Sequence, residues 1–211
     1  MTNNIEVFTQ NSIRITGDKY VIYVDPFKME EEPKNANYIF VTHDHYDHFS
    51  PNDIEKVANE ETILVVPEKM LKKAKEAEGI VKEIFTVKPG TYHELDSLEF
   101  ETVPSYNIMK PFHLKSAEWV GYILHVNGKR IYIAGDTDEI PEAKQVKCDI
   151  AMVPIGGTYT MDAKKAADLI NIIRPEVAIP THYGSIVGSP KDAEVFKSYV
   201  KDPVKVEIKI S

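Results

Sequence analysis

Apolar residues near the start of the chain fall into short alternating or β-branched runs: IEVF at 5–8, SIRIT at 12–16, YVIYVD at 20–25 and YIFVT at 38–42. Each has the length and period of a strand. Gly17-Asp18 separates two of these runs as a hairpin turn would, and the polar stretch 28–37, with Glu30, Glu31 and Glu32, predicts a solvated loop. The theme returns in the second half with SLEFETV at 97–103, DIAMVPIG at 149–156, EVAIP at 176–180 and VKVEIKI at 204–210. Between them WVGYILHV and KRIYIAG flank Asn127-Gly128, a two-residue hairpin signal.

Helical periods punctuate these strands. Ser50-Pro51-Asn52-Asp53 predicts a helix start, with serine as cap, proline at the first helical position and aspartate at the positive end. Ser189-Pro190-Lys191-Asp192 repeats the signal. Pro67 opens an amphipathic segment that ends at Gly79, and a helix from Asp162 to Ile173 puts Ala166, Leu169, Ile170 and Ile173 on one stripe before Pro175 stops it. Two strand-rich halves, each with helices to cover outer faces, predict a layered α/β architecture with two sheets packed together. With no linker and no short-period repeat, residues 1–211 read as a single domain.

Composition narrows the function classes. At 211 residues, 43% hydrophobic and 27% charged, the chain is that of a soluble globular protein. Its 25 basic against 33 acidic residues leave a net charge of -8, which argues against a general attraction to nucleic acid or anionic membrane. Cys148 is the only cysteine, excluding an internal disulfide and any zinc site of several cysteines. No basic leader precedes an apolar stretch and no apolar run approaches roughly 18 residues. The expectation is a cytoplasmic protein with no membrane partner.

The chemistry concentrates in His43-Asp44-His45-Tyr46-Asp47-His48, directly after YIFVT and before the helix start at Ser50. With 7 histidines in the chain, chance places such an H-x-H-x-D-H run about five times in ten thousand. Imidazole and carboxylate suit divalent zinc, iron, manganese or nickel. Four ligands within six residues converge poorly on one ion, so two adjacent ions are expected, with a hydroxide held between them. Asp136 in Ala134-Gly135-Asp136-Thr137-Asp138 and His182 in Pro180-Thr181-His182-Tyr183-Gly184 also sit just past strands. Loops at strand ends are where a rigid sheet presents catalytic groups.

H-D-H-Y-D-H, then G-D-T, then P-T-H-Y-G, in this order over this length, resembles the metallo-β-lactamase superfamily of metal-dependent hydrolases. The resemblance covers essentially the whole chain and implies a four-layered αββα sandwich. Asp25-Pro26, the stretch Gly121 to Asp136 and Pro154-Ile155-Gly156-Gly157 look closest to small single-domain members of the ascorbate-6-phosphate lactonase-like branch. By position, the resemblance implies that His43 and His45 bind the first metal and that Asp47, His48 and His182 bind the second. Asp136 would bridge both. The first metal's remaining ligand is usually a histidine in a P-x-x-H context, where Pro104-Ser105-Tyr106-Asn107 puts Asn107. His113 suits zinc better and is preferred, with Asn107 as the alternative.

Other residues carry weaker signals. Asp44 is a partner to an imidazole or simply solvated, Tyr46 reads as packing, and His93 and His125 are given no role. Phe112, Trp119 and Tyr159 could wall a pocket, though aromatics more often pack. Gly156 to Thr160 could present amides to an anionic group, with Lys110, Lys115 and Lys164 as charge partners. The branch resemblance implies a small-molecule substrate, for which an anionic group is allowed, and metal-dependent hydrolysis of a small lactone or ester, phosphorylated or not, with two divalent ions, zinc first. Asp47 would orient the hydroxide and a metal would stabilise the oxyanion. Three rival readings are phosphodiester cleavage at the same site, a di-iron redox or metal-sensing protein, and a degenerate fold that only binds partners.

Overall fold

In the computed structural model, which describes residues 2–210, the first runs form an antiparallel meander of β1 (Ile5–Thr9), β2 (Ser12–Thr16) and β3 (Val21–Val24). The turn after β2 closes with Gly17 N–H donating to Tyr20 O at 2.8 Å. From β3 the sheet changes sense, and β4 (Tyr38–Phe40), β5 (Ile63–Pro67) and β6 (Glu83–Val87) add in parallel. All six strands run in sequence order across one sheet, within a compact unit ending at Lys88. Helix α1 (Pro51–Val57) begins where the signal placed it: Ser50 caps it, its Oγ accepting from Asp53 N–H at 3.3 Å. Ile54 and Val57 of α1 join Tyr23, Ile39, Leu64 and Val66 of the sheet in the unit's core.

A second unit, from Pro89 onward, repeats the scheme. Strands β7 (Tyr92–Leu95), β8 (Leu98–Pro104), β9 (Val120–Val126) and β10 (Lys129–Ile133) are antiparallel. Beyond β10 the strands β11 (Ile150–Pro154), β12 (Val177–Thr181) and β13 (Lys205–Val206) are parallel. The Asn127-Gly128 hairpin forms as expected: Val126 pairs with Lys129, and both turn residues take the positive φ that this turn requires, 51° and 72°. Helix α3 (Ala163–Ile173) is capped by Asp162, whose side chain accepts from Lys165 N–H, and it ends on left-handed Arg174 before Pro175. Its buried stripe of Ala166, Leu169, Ile170 and Ile173 meets Tyr132, Val153 and Ala178 of the sheet, with Phe196 of α4 (Lys191–Tyr199) beside it.

The α/β class read from the sequence is what forms, in two mixed sheets with helices against each. Four local expectations change. The segment opened by Pro67 is not one helix but a 3-10 turn, the single α turn α2 (Leu71–Ala74) and a second 3-10 turn, for no side chain caps any of the three. Strands β5, β6 and β7 carry no sequence signal strong enough to predict them. β5 is a buried parallel strand, apolar without alternation. The run 204–210 pairs as a strand only over Lys205–Val206. At α4 the cap is reversed from the expected serine, Asp192 accepting the Ser189 N–H at 2.6 Å. No helix of the described residues is long and apolar enough to cross a membrane.

Candidate metal centre

The candidate ligands lie in loops at the carboxyl ends of strands, in the first sheet after the parallel β4 and in the second after β8, β10 and β12, and such strand-end loops are where a sheet presents groups to a site. In the first unit, β3 runs into Asp25 and β4 into the 43–48 loop. That loop is a tight turn, with His48 and Phe49 N–H both donating to His45 O at 3.0 and 2.8 Å. His43, Asp47 and His48 are buried and His45 is half-buried.

A buried hydrogen-bond web fixes which nitrogens these histidines present. Asp25, fully buried, accepts from Thr42 N–H at 2.8 Å, Thr42 Oγ1 at 2.7 Å and Asn11 Nδ2 at 2.7 Å, and its Oδ2 lies 2.7 Å from His48 Nδ1. A carboxylate only accepts, so His48 carries its proton on Nδ1 and turns the Nε2 lone pair outward from this web. Thr42 gives its hydroxyl proton to Asp25, so toward His43 Nδ1, 3.0 Å away, it can only accept. His43 is therefore also protonated on Nδ1, with the lone pair on Nε2. That Nε2 lies 3.1 Å from His45 Nδ1, and Asp47 Oδ2 is 3.6 Å from His48 Nε2. Gln10 reaches the same Asp47 oxygen at 3.5 Å.

The second unit builds its share from three loops. Asp136 follows β10, His182 follows β12 and His113 lies in the loop after β8. All three are buried. The Asp136 carboxylate has one imidazole on each oxygen: His113 Nε2 is 3.3 Å from Oδ2, and His182 Nε2 is 3.3 Å from Oδ1. Of the two alternatives for the remaining ligand, His113 stands against Asp136 and Asn107 stands behind it. Asn107 Nδ2 lies 3.2 Å from His113 Nδ1 and donates to Phe112 O at 3.1 Å and Tyr159 O at 2.8 Å. Asn107 Oδ1 is buried with no hydrogen-bond partner among the described residues.

Backbone geometry holds these side chains in place. His113 and His182 adopt left-handed φ of 55°, a conformation that costs a non-glycine residue on the order of 1 kcal/mol or more and persists where the surroundings over-determine it. Ser105 Oγ donates to Asp136 O at 2.9 Å, and Thr137 Oγ1 donates to Tyr106 O at 3.0 Å, stitching the His113 loop to the Asp136 loop. A Cβ on Gly156 would collide with the His182 carbonyl oxygen and with Val187 Cγ2, so only glycine lets that backbone pass.

Both half-sets fit a small divalent cation. Ligands bonded to zinc at about 2.0–2.1 Å in a tetrahedron sit about 3.3 Å apart, close to the 3.1 Å of His43–His45 and the 3.3 Å of both Asp136 contacts. The histidines without an assigned role behave differently. His93 stacks on Phe100 at 5.1 Å, and burial lowers its pKa. His125 bonds Glu101 at 3.0 Å, and although burial raises the Glu101 carboxyl, hydrogen bonds from Arg130 and His125 hold it below its usual range. Neither gathers ligand lone pairs at one point.

Asp25, Thr42 and Asn11 are the functional partners that residue-by-residue reading missed. In the sequence Asp25 stands out only through the family resemblance, without a role, and Thr42 only by its place directly before the histidine run.

Comparison with known proteins finds relatives that match most of the chain. A model of the beta-lactamase superfamily domain matches residues 4–182. A UPF0173 metal-dependent hydrolase of Symbiobacterium thermophilum is 29% identical over 94% of this chain and 92% of its own length. A protein of Parabacteroides distasonis described as a metal-dependent hydrolase superposes with a TM-score of 0.82 at 30% identity, covering 98% of this chain and 93% of that one. The metallo-β-lactamase fold protein YhfI of Bacillus subtilis superposes at 0.75 with 8% identity, over 94% and 89% of the two chains, a likeness of fold alone.

Proposed function

The chain belongs to the metallo-β-lactamase superfamily and is a metal-dependent hydrolase, and from that premise we propose that its two half-sets serve one pair of divalent ions, zinc first, to hydrolyse a small lactone or ester. The observation that carries this reading is the Asp136 carboxylate with an imidazole 3.3 Å from each oxygen, a donor set that would suit divalent ions. His43, His45 and His113 serve one ion, Asp47, His48 and His182 the other, and residues 1–211 act as one functional domain.

When bound, such ions supply a water acidified to near neutrality and positive charge for the oxyanion that develops on the substrate. The chain's own residues do the rest. Asp25 and Thr42 keep the Nδ1 protons on His48 and His43, so that both offer Nε2 without any tautomer change. Asp47, whose carboxylate lies 3.6 Å from His48 Nε2, would orient the attacking oxygen toward the carbonyl. Asn107 keeps His113 turned to Asp136 by gripping the loop behind it.

The test is hydrolysis of a panel of lactones and simple esters by protein stripped with a chelator and reloaded with zinc, manganese, nickel or iron. The expected result is turnover that depends on reloading and is lost in Asp136→Ala. Turnover indifferent to metal contradicts the reading. A coloured, iron-loaded protein that consumes oxygen and turns over no ester replaces it with the redox alternative, and selective cleavage of phosphodiesters replaces it with a nuclease.

A further inference from the structure

The loop that carries His113 has two opposite characters. From Ile108 to Leu114 it exposes four apolar side chains: Met109 is 91% exposed, Ile108 55%, Leu114 54% and Phe112 46%. Four exposed apolar side chains within seven residues of one loop are a candidate binding surface. The polar groups of the same loop turn inward. Asn107 N–H donates to His113 O at 2.8 Å, Ile108 N–H donates to Asp138 Oδ2 at 3.1 Å, and Lys110 Nζ pairs with Asp138 Oδ1 at 2.6 Å. Phe112 packs edge-to-face on Tyr159 at 5.1 Å. The loop is therefore held at its base by several bonds, and its apolar tips are presented rather than draped.

The charges that would greet an anionic substrate are engaged elsewhere. Lys110 is held by Asp138 and by Thr160 O. Lys115 Nζ pairs with Glu142 at 2.8 Å and sits over the Tyr106 ring at 4.7 Å. Lys164 Nζ lies over the Tyr199 ring at 5.5 Å. An apolar outer face and an inward-turned lysine flank a residue, His113, whose other side meets Asp136.

We propose that Ile108, Met109, Phe112 and Leu114 form the platform for the apolar part of the substrate, so that the ester or lactone cleaved here carries an alkyl or aryl substituent and no phosphate. This rests on the hydrolytic reading of the His113–Asp136–His182 set. Each methylene that settles on such a platform improves binding by up to about fourfold.

Trp119 is the only tryptophan and lies 5.4 Å from the His113 ring, edge-on, so its fluorescence reports on this loop. The metal-loaded protein is titrated with octanamide and with acetamide, neutral probes of the two chain lengths, beside the double variant Met109→Ser/Phe112→Ser. The expected result is a saturable change with octanamide that weakens at least about tenfold in the variant, and none with acetamide at the same concentrations. No saturable change in the wild type, or equal affinity in the two proteins, overturns the platform.

Turnover of an acetate, an octanoate and a phosphorylated ester of one alcohol runs in parallel, the expected preference being for the octanoate. Octanamide binding without turnover of any ester keeps the platform and overturns the hydrolytic reading. Turnover without chain-length preference, or with preference for the phosphorylated ester, overturns the platform alone. A wild-type dimer in sedimentation that the double variant abolishes also overturns it, by giving these side chains to a second copy of the chain.

Discussion

The two sheets solve the same problem by opposite means. Both pass from an antiparallel meander to a parallel run, and both place ligands in loops past the carboxyl ends of strands. The first unit gathers four candidate ligands in the six residues 43–48 and orients them through side chains, the buried Asp25, Thr42 and Asn11 web. The second draws three ligands from loops up to 69 positions apart and orients them through backbone, with left-handed φ at His113 and His182 and a glycine beside the His182 carbonyl. A compact motif leaves its ligands free to rotate and needs a polar web behind it. Scattered ligands need each loop fixed on its own.

The largest effect expected is at Asp136, the residue on which the second unit's histidines converge. Asp136→Ala should lower metal-dependent turnover roughly 10³-fold and reduce metal content measured by elemental mass spectrometry, with little change in far-ultraviolet circular dichroism. Next is Asp25→Asn, aimed at the polar web. An amide would face donors on both sides where the carboxylate accepts from Thr42, Asn11 and His48. Metal affinity by competition with a chromogenic chelator should weaken about 10–100-fold, and urea midpoints of the metal-free protein should fall as well, because buried donors lose partners. If the variant binds metal as the wild type does, side-chain orientation is not what sets the first unit's ligands.

Gly156→Ala tests the backbone device in the second unit. The added methyl would press on the His182 carbonyl and Val187, and the metal-free protein should lose about 1–3 kcal/mol in urea denaturation. The smallest effect lies outside both half-sets. Burial lowers the His93 pKa, so near that value the unfolded chain binds more protons than the folded one. The resulting stability is present above the unfolded value of about 6.5 and is lost as pH falls below it. Between about pH 7.5 and about pH 5.5 the metal-free wild type should lose more melting temperature than His93→Gln; equal losses would remove His93 from the account.

The same contrast explains what could be read from the sequence. The 43–48 run is legible because its ligands are neighbours in the chain, and α1 and α3 are legible because their caps are local. Asp25 and Asn11 are not, since Asp25 meets His48, and Asn11 meets Asp25, only once β1, β2, β3 and β4 pair. The choice between Asn107 and His113 stays open on paper because both belong to one aperiodic loop, whose closure by Asn107 N–H to His113 O appears only in the fold. β5 escapes because Pro67, which ends it, reads equally as a helix opener, whereas the equally buried β11 and β12 have no such competing signal.

The central claim is that both half-sets serve the same ions, and metal stoichiometry in a double-variant cycle tests it most directly. Zinc content is measured by elemental mass spectrometry for the wild type, His48→Ala, His182→Ala and the combined variant. Shared ions predict about two per chain in the wild type, about one in each single variant and still about one in the double variant, since both histidines then serve the ion already lost. A double variant that loses an ion for each histidine, falling to none, would contradict the account and leave each sheet with a metal site of its own.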